Sequence, residues 1–215
     1  MFFNLDLPTL ISRIITLLVA FTIHEFSHAA TATALGDSTP RNAGRLTLNP
    51  LAHLDLMGTL TLLVAGFGWA KPVPVNPYAV RRKTSAGMML VSLAGPASNL
   101  LMGALAALPL RFSWVQFRPT TSAFLPSPAS FLFEFLTINL ALFLFNLIPL
   151  APLDGEKVIT FFLPEHWVEV YERIRPYSPF ILLALVFVLP MFGIDLIGLI
   201  ITRPLQNLAL FLIGG

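Results

Sequence analysis

Long apolar runs alternate along this chain with short segments rich in proline, glycine and charge. A helix needs roughly 20 apolar residues to cross the hydrocarbon of a bilayer. Segments 7–35, 84–110, 130–151 and 180–201 reach that length and are predicted as membrane-spanning helices. Segment 84–110 has no charge and is the clearest of them. In 7–35, Arg13 lies near the start, where its long side chain can reach back toward the headgroups, and Gly36–Asp37 supplies the stop. Segment 54–69 is also apolar but short and glycine-interrupted, which suits a re-entrant element or a short span. Lys71 to Val80 reads KPVPVNPYAV; proline at that density opposes a helix and predicts an extended edge strand or hairpin arm. Segment 111–128 reads as a loop, 153–179 as the most polar stretch, and 205–215 as apolar but too short to cross alone. There is no internal repeat or low-complexity tract. The expected architecture is an all-α polytopic membrane protein forming one domain over 1–215. It has a three-helix core, one or more C-terminal spans, and a re-entrant or β-hairpin element between the first two core helices.

Composition agrees with this pattern. Of 215 residues, 56% are hydrophobic and 11% charged, against about 25% charged in soluble domains. The mean hydropathy is +0.79. The net charge of +2 is small, and no basic cluster exceeds Arg81-Arg82-Lys83, so nucleic-acid binding has no support. The absence of cysteine excludes disulfides and thiolate ligands. A transition metal here would have to use His, Asp or Glu. The start, MFFNLDLPTL, lacks the basic region and small-residue cleavage site of a signal peptide, so the first apolar segment is expected to be retained as a span.

The chemistry concentrates in that first span. His24-Glu25-Phe26-Ser27-His28 is an H-E-x-x-H pattern. Residues four apart share a helix face, so both imidazoles can reach one zinc, with Glu25 beside it as a base for water. Ionisable groups deep in a span are costly, which favours function over a passive buried pair. A catalytic zinc takes three protein ligands and leaves one position open. On the residues alone the third ligand stays open among His53, His166 and the carboxylates. Asp154 is the strongest candidate, in Asn146-Leu-Ile-Pro-Leu-Ala-Pro-Leu-Asp154-Gly155 just past an apolar run. Prolines there interrupt the helix and Gly155 permits a turn. An Asp-Gly turn at a membrane surface is the plainer local reading. His166 reads as an interfacial residue, and His53 needs no special role. Gly95-Pro96 and Asn99 suit helix packing and a kink, with a supporting contact near the site as the alternative; Glu134 suits a headgroup boundary, and Asp195 a pairing within the bundle.

Together, the H-E-x-x-H span, the Gly95-Pro96-x-x-Asn99 segment and the Asn146 to Gly155 stretch, in that order, resemble the site-2 protease family of intramembrane zinc metalloproteases. The stretches Asn49 to Asp55 and Gly68-Trp-Ala-Lys-Pro-Val-Pro-Val-Asn76 resemble its compact branch, which lacks PDZ and CBS modules. The resemblance implies a single zinc per chain on His24, His28 and Asp154, with Glu25 as the catalytic glutamate. Asn146 would support it by holding substrate or the oxyanion. It also implies that the substrate is a transmembrane segment of another protein, unwound before cleavage.

Two further expectations follow. Asp154 lies beyond the C-terminal end of 130–151 and the H-E-x-x-H motif toward the C-terminal end of 7–35, so both helices must run the same way. One crossing, 84–110, then separates them. Basic residues favour the cytoplasmic side, and Arg41, Arg45, Lys71, Arg81, Arg82, Lys83, Lys157, Arg173 and Arg175 all fall on the side nearer the site. The site is therefore expected nearer the cytoplasmic face of a prokaryotic cell membrane. The rival readings are a membrane zinc transporter and a non-catalytic relative that binds membrane proteins. The missing repeats oppose the first, and the intact Glu25 opposes the second. The residues carry no signal for an oligomeric state.

Overall fold

A computed structural model describes residues 6–58, 61, 68–118, 122 and 124–215. The described residues are mainly helical, with five helices long and apolar enough to cross a membrane. Half of 54–69, read above as a re-entrant or short span, lies outside the described residues.

Helix α1 spans Leu7–Ala34. Pro8 sits in its first turn, where a missing N–H costs nothing. It stops where Gly36 takes a φ of 94°, a conformation glycine adopts without strain. At about 1.5 Å per residue, its 28 residues reach some 42 Å, more than the hydrocarbon thickness.

Helix α2, Pro77–Lys83, replaces the end of the strand expected over 71–80. Asn76 caps it by accepting from the backbone N–H groups of Tyr78 and Ala79, and Pro77 is tolerated at a helix start. Helix α3 spans Gly87–Arg111 and keeps Pro96 and Pro109 within it.

Helix α4 spans Pro128–Asn146 and is capped by Ser127. It ends before Ala151, the end read from apolarity. Pro149 and Pro152 disfavour helical backbone at the residues before them and offer no N–H, so residues 147–153 fold into turns. Within these turns the Ala151–Pro152 peptide is cis. Helix α5, Gly155–Phe162, follows directly.

The expected polar stretch 153–179 becomes helical, and the expected span 180–201 is divided. Helix α6 runs Glu165–Met191, with a 3-10 turn at Arg175–Tyr177 and a π turn at Ala184–Val188. Gly193 then turns with a φ of 78°. Asp195 starts helix α7, Leu196–Ile213, by accepting from Gly198 N at 2.7 Å. Its carboxylate is thus a helix cap rather than a partner inside the bundle. Residues 205–215, too short to cross alone, largely form the second half of α7.

Helix α3 packs against both α1 and α4, and these three form the core expected from the sequence. Small residues let α3 approach closely: Ala106 and Ala107 join Leu110, Ala129, Leu136 and Leu140 in one buried cluster. Gly103 faces Leu140 with little room to spare. Helix α7 covers the cluster through Leu205, Leu208 and Leu212, and Arg111 binds the carbonyls of Phe211 and Leu212 at its end. Near their starts α1 and α4 are joined by Arg13 Nε and Glu134 Oε1 at 2.8 Å. Toward the other end of α1, His24 and His28 meet Asp154, which lies just beyond the other end of α4. The two helices therefore run in the same direction, as the motif positions require.

The segment joining α1 to α2 is held by two buried charges. Arg45 donates to the carbonyls of Ala52, Lys71 and Pro72. Asp37 accepts from Thr39 N at 2.9 Å and from Asn76 N at 2.7 Å. Burial pushes the Asp37 carboxyl up, but hydrogen bonds from the Thr39 side chain and from the Asn76 and Thr39 N–H groups pull it further down, to below its ordinary 3.8. Its stabilisation is therefore complete above that value and fades as pH falls through the lower folded-state pKa. Asp37→Ala is expected to melt several degrees below wild type at pH 7, since charged hydrogen bonds contribute about 1.5–3 kcal/mol each. The gap should narrow in strongly acidic buffer. Equal melting at pH 7 would show that this tie does not stabilise the fold.

Candidate metal centre

His24 and His28 stand one turn apart on α1 and are both buried. Their Nε2 atoms lie 3.0 Å from each other, and each lies 3.2 Å from Asp154 Oδ2. Asp154 occupies the N-cap position of α5, yet its carboxylate makes no capping bond and reaches the histidines instead. The turn that delivers it depends on Gly155. A Cβ there would strike the carbonyl oxygens of Leu147 and Ile148, so only glycine lets the chain fold back so closely on the end of α4. Burial pushes the Asp154 carboxyl up, but hydrogen bonds and charge from His24 and His28 bring it well below the usual carboxylate range.

Three ligand atoms thus converge at mutual distances of 3.0–3.2 Å. Bonds of 2.0–2.1 Å in a tetrahedron put neighbouring ligand atoms about 3.3 Å apart. Two imidazoles and one carboxylate are also a known donor set for catalytic zinc with one open position. The approach of three such atoms requires positive charge between them, from a proton or a cation. Space for it is left by Gly95 on α3, where a Cβ would collide with both imidazoles. The residues present fit a zinc ion.

Each ring is held from behind. His28 Nδ1 donates to the Val91 carbonyl at 2.7 Å, and His24 Nδ1 lies 2.6 Å from Asn99 Oδ1. Glu25 is buried beside them, and its carboxylate shares a cluster with the two histidines in which all ligand atoms lie within 4.8 Å. Among the described residues no hydrogen bond engages that carboxylate.

The chain is 42% identical over 178 residues to "Putative zinc metalloprotease YwhC" of Bacillus subtilis, covering 83% of this chain and 80% of that protein. The chain belongs to the site-2 protease family. Two further relatives of the same kind are named "Putative zinc metalloprotease Rip2". The Mycobacterium tuberculosis protein is 33% identical over 178 residues, covering 81% of this chain and 64% of that one. The Mycolicibacterium smegmatis protein is 33% identical over 141 residues, covering 64% and 52%. No family model and no solved structure matches the chain.

Other polar residues of this site-2 protease lie in different settings. Asn146 gives its amide nitrogen to the Leu142 carbonyl of its own helix at 3.0 Å, and among the described residues no hydrogen bond joins it to the histidines or Asp154. His53 is buried, with Nε2 on the Thr47 carbonyl at 2.8 Å, and stands outside the cluster. His166 packs beside Trp167 on α6. Asn99, whose sequence setting favours packing but leaves a supporting contact near the site open, makes that contact with His24. Asn139 was missed altogether. Its signal was an amide in the middle of the apolar run 130–151, where a polar side chain is expensive without a partner.

Proposed function

We propose that this protein is an intramembrane zinc metalloendopeptidase that hydrolyses peptide bonds within or near transmembrane segments of other membrane proteins. The observation that carries this reading is the convergence of His24 Nε2, His28 Nε2 and Asp154 Oδ2 beside the unengaged carboxylate of Glu25. In it, His24, His28 and Asp154 hold one zinc, which when bound supplies Lewis acidity and brings the pKa of water toward about 7. Glu25 is the general base. It takes the proton of the attacking water and returns it to the leaving amine, so two peptide fragments leave. Asn146 keeps an unused amide oxygen and a place at the end of α4, from which it would meet substrate.

The position of the site supports the choice of substrate. His24 and His28 lie on a helix long enough to span the bilayer, toward its C-terminal end. Nearby, Val73 and Val75 flank Pro74, and among the described residues their backbone groups make no hydrogen bonds. They offer an edge on which an unwound segment could lie as an added strand. The basic residues between α1 and α3 support a site nearer the cytoplasmic face.

The test is cleavage of a membrane-spanning reporter peptide by purified protein in liposomes. Zinc-loaded wild type is expected to release two fragments and to stop when zinc is chelated. Glu25→Gln should lose about 10²–10⁴-fold in rate, the usual worth of a general base, while keeping its zinc. Full activity in Glu25→Gln would remove Glu25 as the base. Zinc movement into the liposomes without cleavage would favour transport instead.

A further inference from the structure

The polar network behind His24 extends beyond Asn99. Asn99 Nδ2 donates to Asn139 Oδ1 at 2.9 Å, and Asn139 Nδ2 donates to the Phe135 carbonyl of its own helix at 2.8 Å. Both asparagine side chains are fully buried, each on a different core helix. The direction of every bond in this chain is fixed by its far end. A backbone carbonyl only accepts, so Asn139 must turn its amide nitrogen toward Phe135 and its oxygen toward Asn99. Asn99 must then give its nitrogen to Asn139 and its oxygen to His24. Only a protonated Nδ1 can meet that oxygen, so the neutral ring keeps its lone pair on Nε2.

We infer that Asn99 and Asn139 are positioning residues that lock His24 in the tautomer able to bind zinc through Nε2. The inference rests on the metal reading above and adds the device that sets one ligand. It explains why two amides are buried in apolar helices at the junction of α3 and α4. It also explains why the two histidines differ in support. His28 is set by a single backbone carbonyl, whereas His24 is set by a relay of side chains ending on one. The relay ties α1, α3 and α4 to a single register at the depth of the metal, so displacing α4 also releases His24. Neighbours that orient metal-bound histidines commonly govern affinity by 10–100-fold.

Two readouts test the relay, neither of which uses peptidase activity. The first is zinc affinity, measured in detergent by competition with a chromophoric chelator. Asn99→Leu removes the acceptor and should weaken zinc about 10–100-fold. Asn139→Leu leaves Asn99 in place but frees its amide to turn over, and should weaken zinc as well. Asn99→Asp restores an acceptor for Nδ1–H and should bind zinc more tightly than Asn99→Leu; a packing role alone predicts the reverse order. The second readout is the nitrogen NMR spectrum of metal-free protein labelled at its four histidines. Neutral His24 should carry its proton on Nδ1 in wild type and show a mixture of tautomers in Asn139→Leu. Wild-type affinity in both leucine variants, or a His24 proton on Nε2 in the neutral wild-type ring, would overturn the relay alone. A folded wild type that takes up no zinc would overturn the metal reading, and the relay with it.

Discussion

Gly95→Ala is expected to destroy zinc binding while leaving the helices intact. Gly95 lies on α3 directly against the two histidine rings, and the added methyl would overlap His28 Nε2 and Cε1 as well as His24 Nε2. None of these atoms can yield cheaply. Each ring is pinned through its other nitrogen, to Val91 and to Asn99, and each faces Asp154. Helix propensity works the other way, since alanine favours a helix interior over glycine by about 0.8–1 kcal/mol. The damage is therefore confined to the space the ion would fill. Zinc affinity should fall by more than the roughly 100-fold cost of losing a supporting partner, with an unchanged circular dichroism spectrum. Zinc content equal to wild type would mean that the ion does not lie between these rings and α3.

Asp154→Ala should have a comparable effect by a different route. It removes the carboxylate oxygen that lies 3.2 Å from both imidazole nitrogens and leaves two nitrogens 3.0 Å apart. A two-histidine remnant should hold zinc more weakly by at least the 10–100-fold of a supporting contact. The fold should survive, because the Asp154 side chain caps no helix and Gly155 still makes the turn. Competition titration against the wild type measures the change. Undiminished affinity would pass the third place to the other nearby carboxylate, Glu25, and would leave the water without its proposed base.

Much of this arrangement was legible in the chain. Helical spacing alone put His24 and His28 on one face, and the apolar runs marked α1, α3 and α4. The requirement that α1 and α4 run in the same direction came from motif positions, and the Arg13–Glu134 pair lies where that direction demands. What apolarity could not give was helix ends. The run 130–151 is apolar through Ala151, but prolines stop α4 at Asn146, and that early stop creates the turn carrying Asp154. In 180–201 the apolar pattern ran through a break made by Gly193 and the Asp195 cap. Asn99 and Asn139 were visible only as isolated amides in apolar sequence. Their pairing spans 40 positions and depends on how α3 and α4 pack, which no local pattern encodes.

The account stands most directly on which atoms hold the metal. Zinc K-edge X-ray absorption of the zinc-loaded wild-type protein reads that shell. The account predicts four light-atom ligands at about 2.0–2.1 Å, two of them imidazoles, with the carboxylate of Asp154 and one exchangeable oxygen completing the set. A shell with three imidazoles would bring in His53 or His166, and a six-oxygen shell would remove His24 and His28; either result would contradict the site described here.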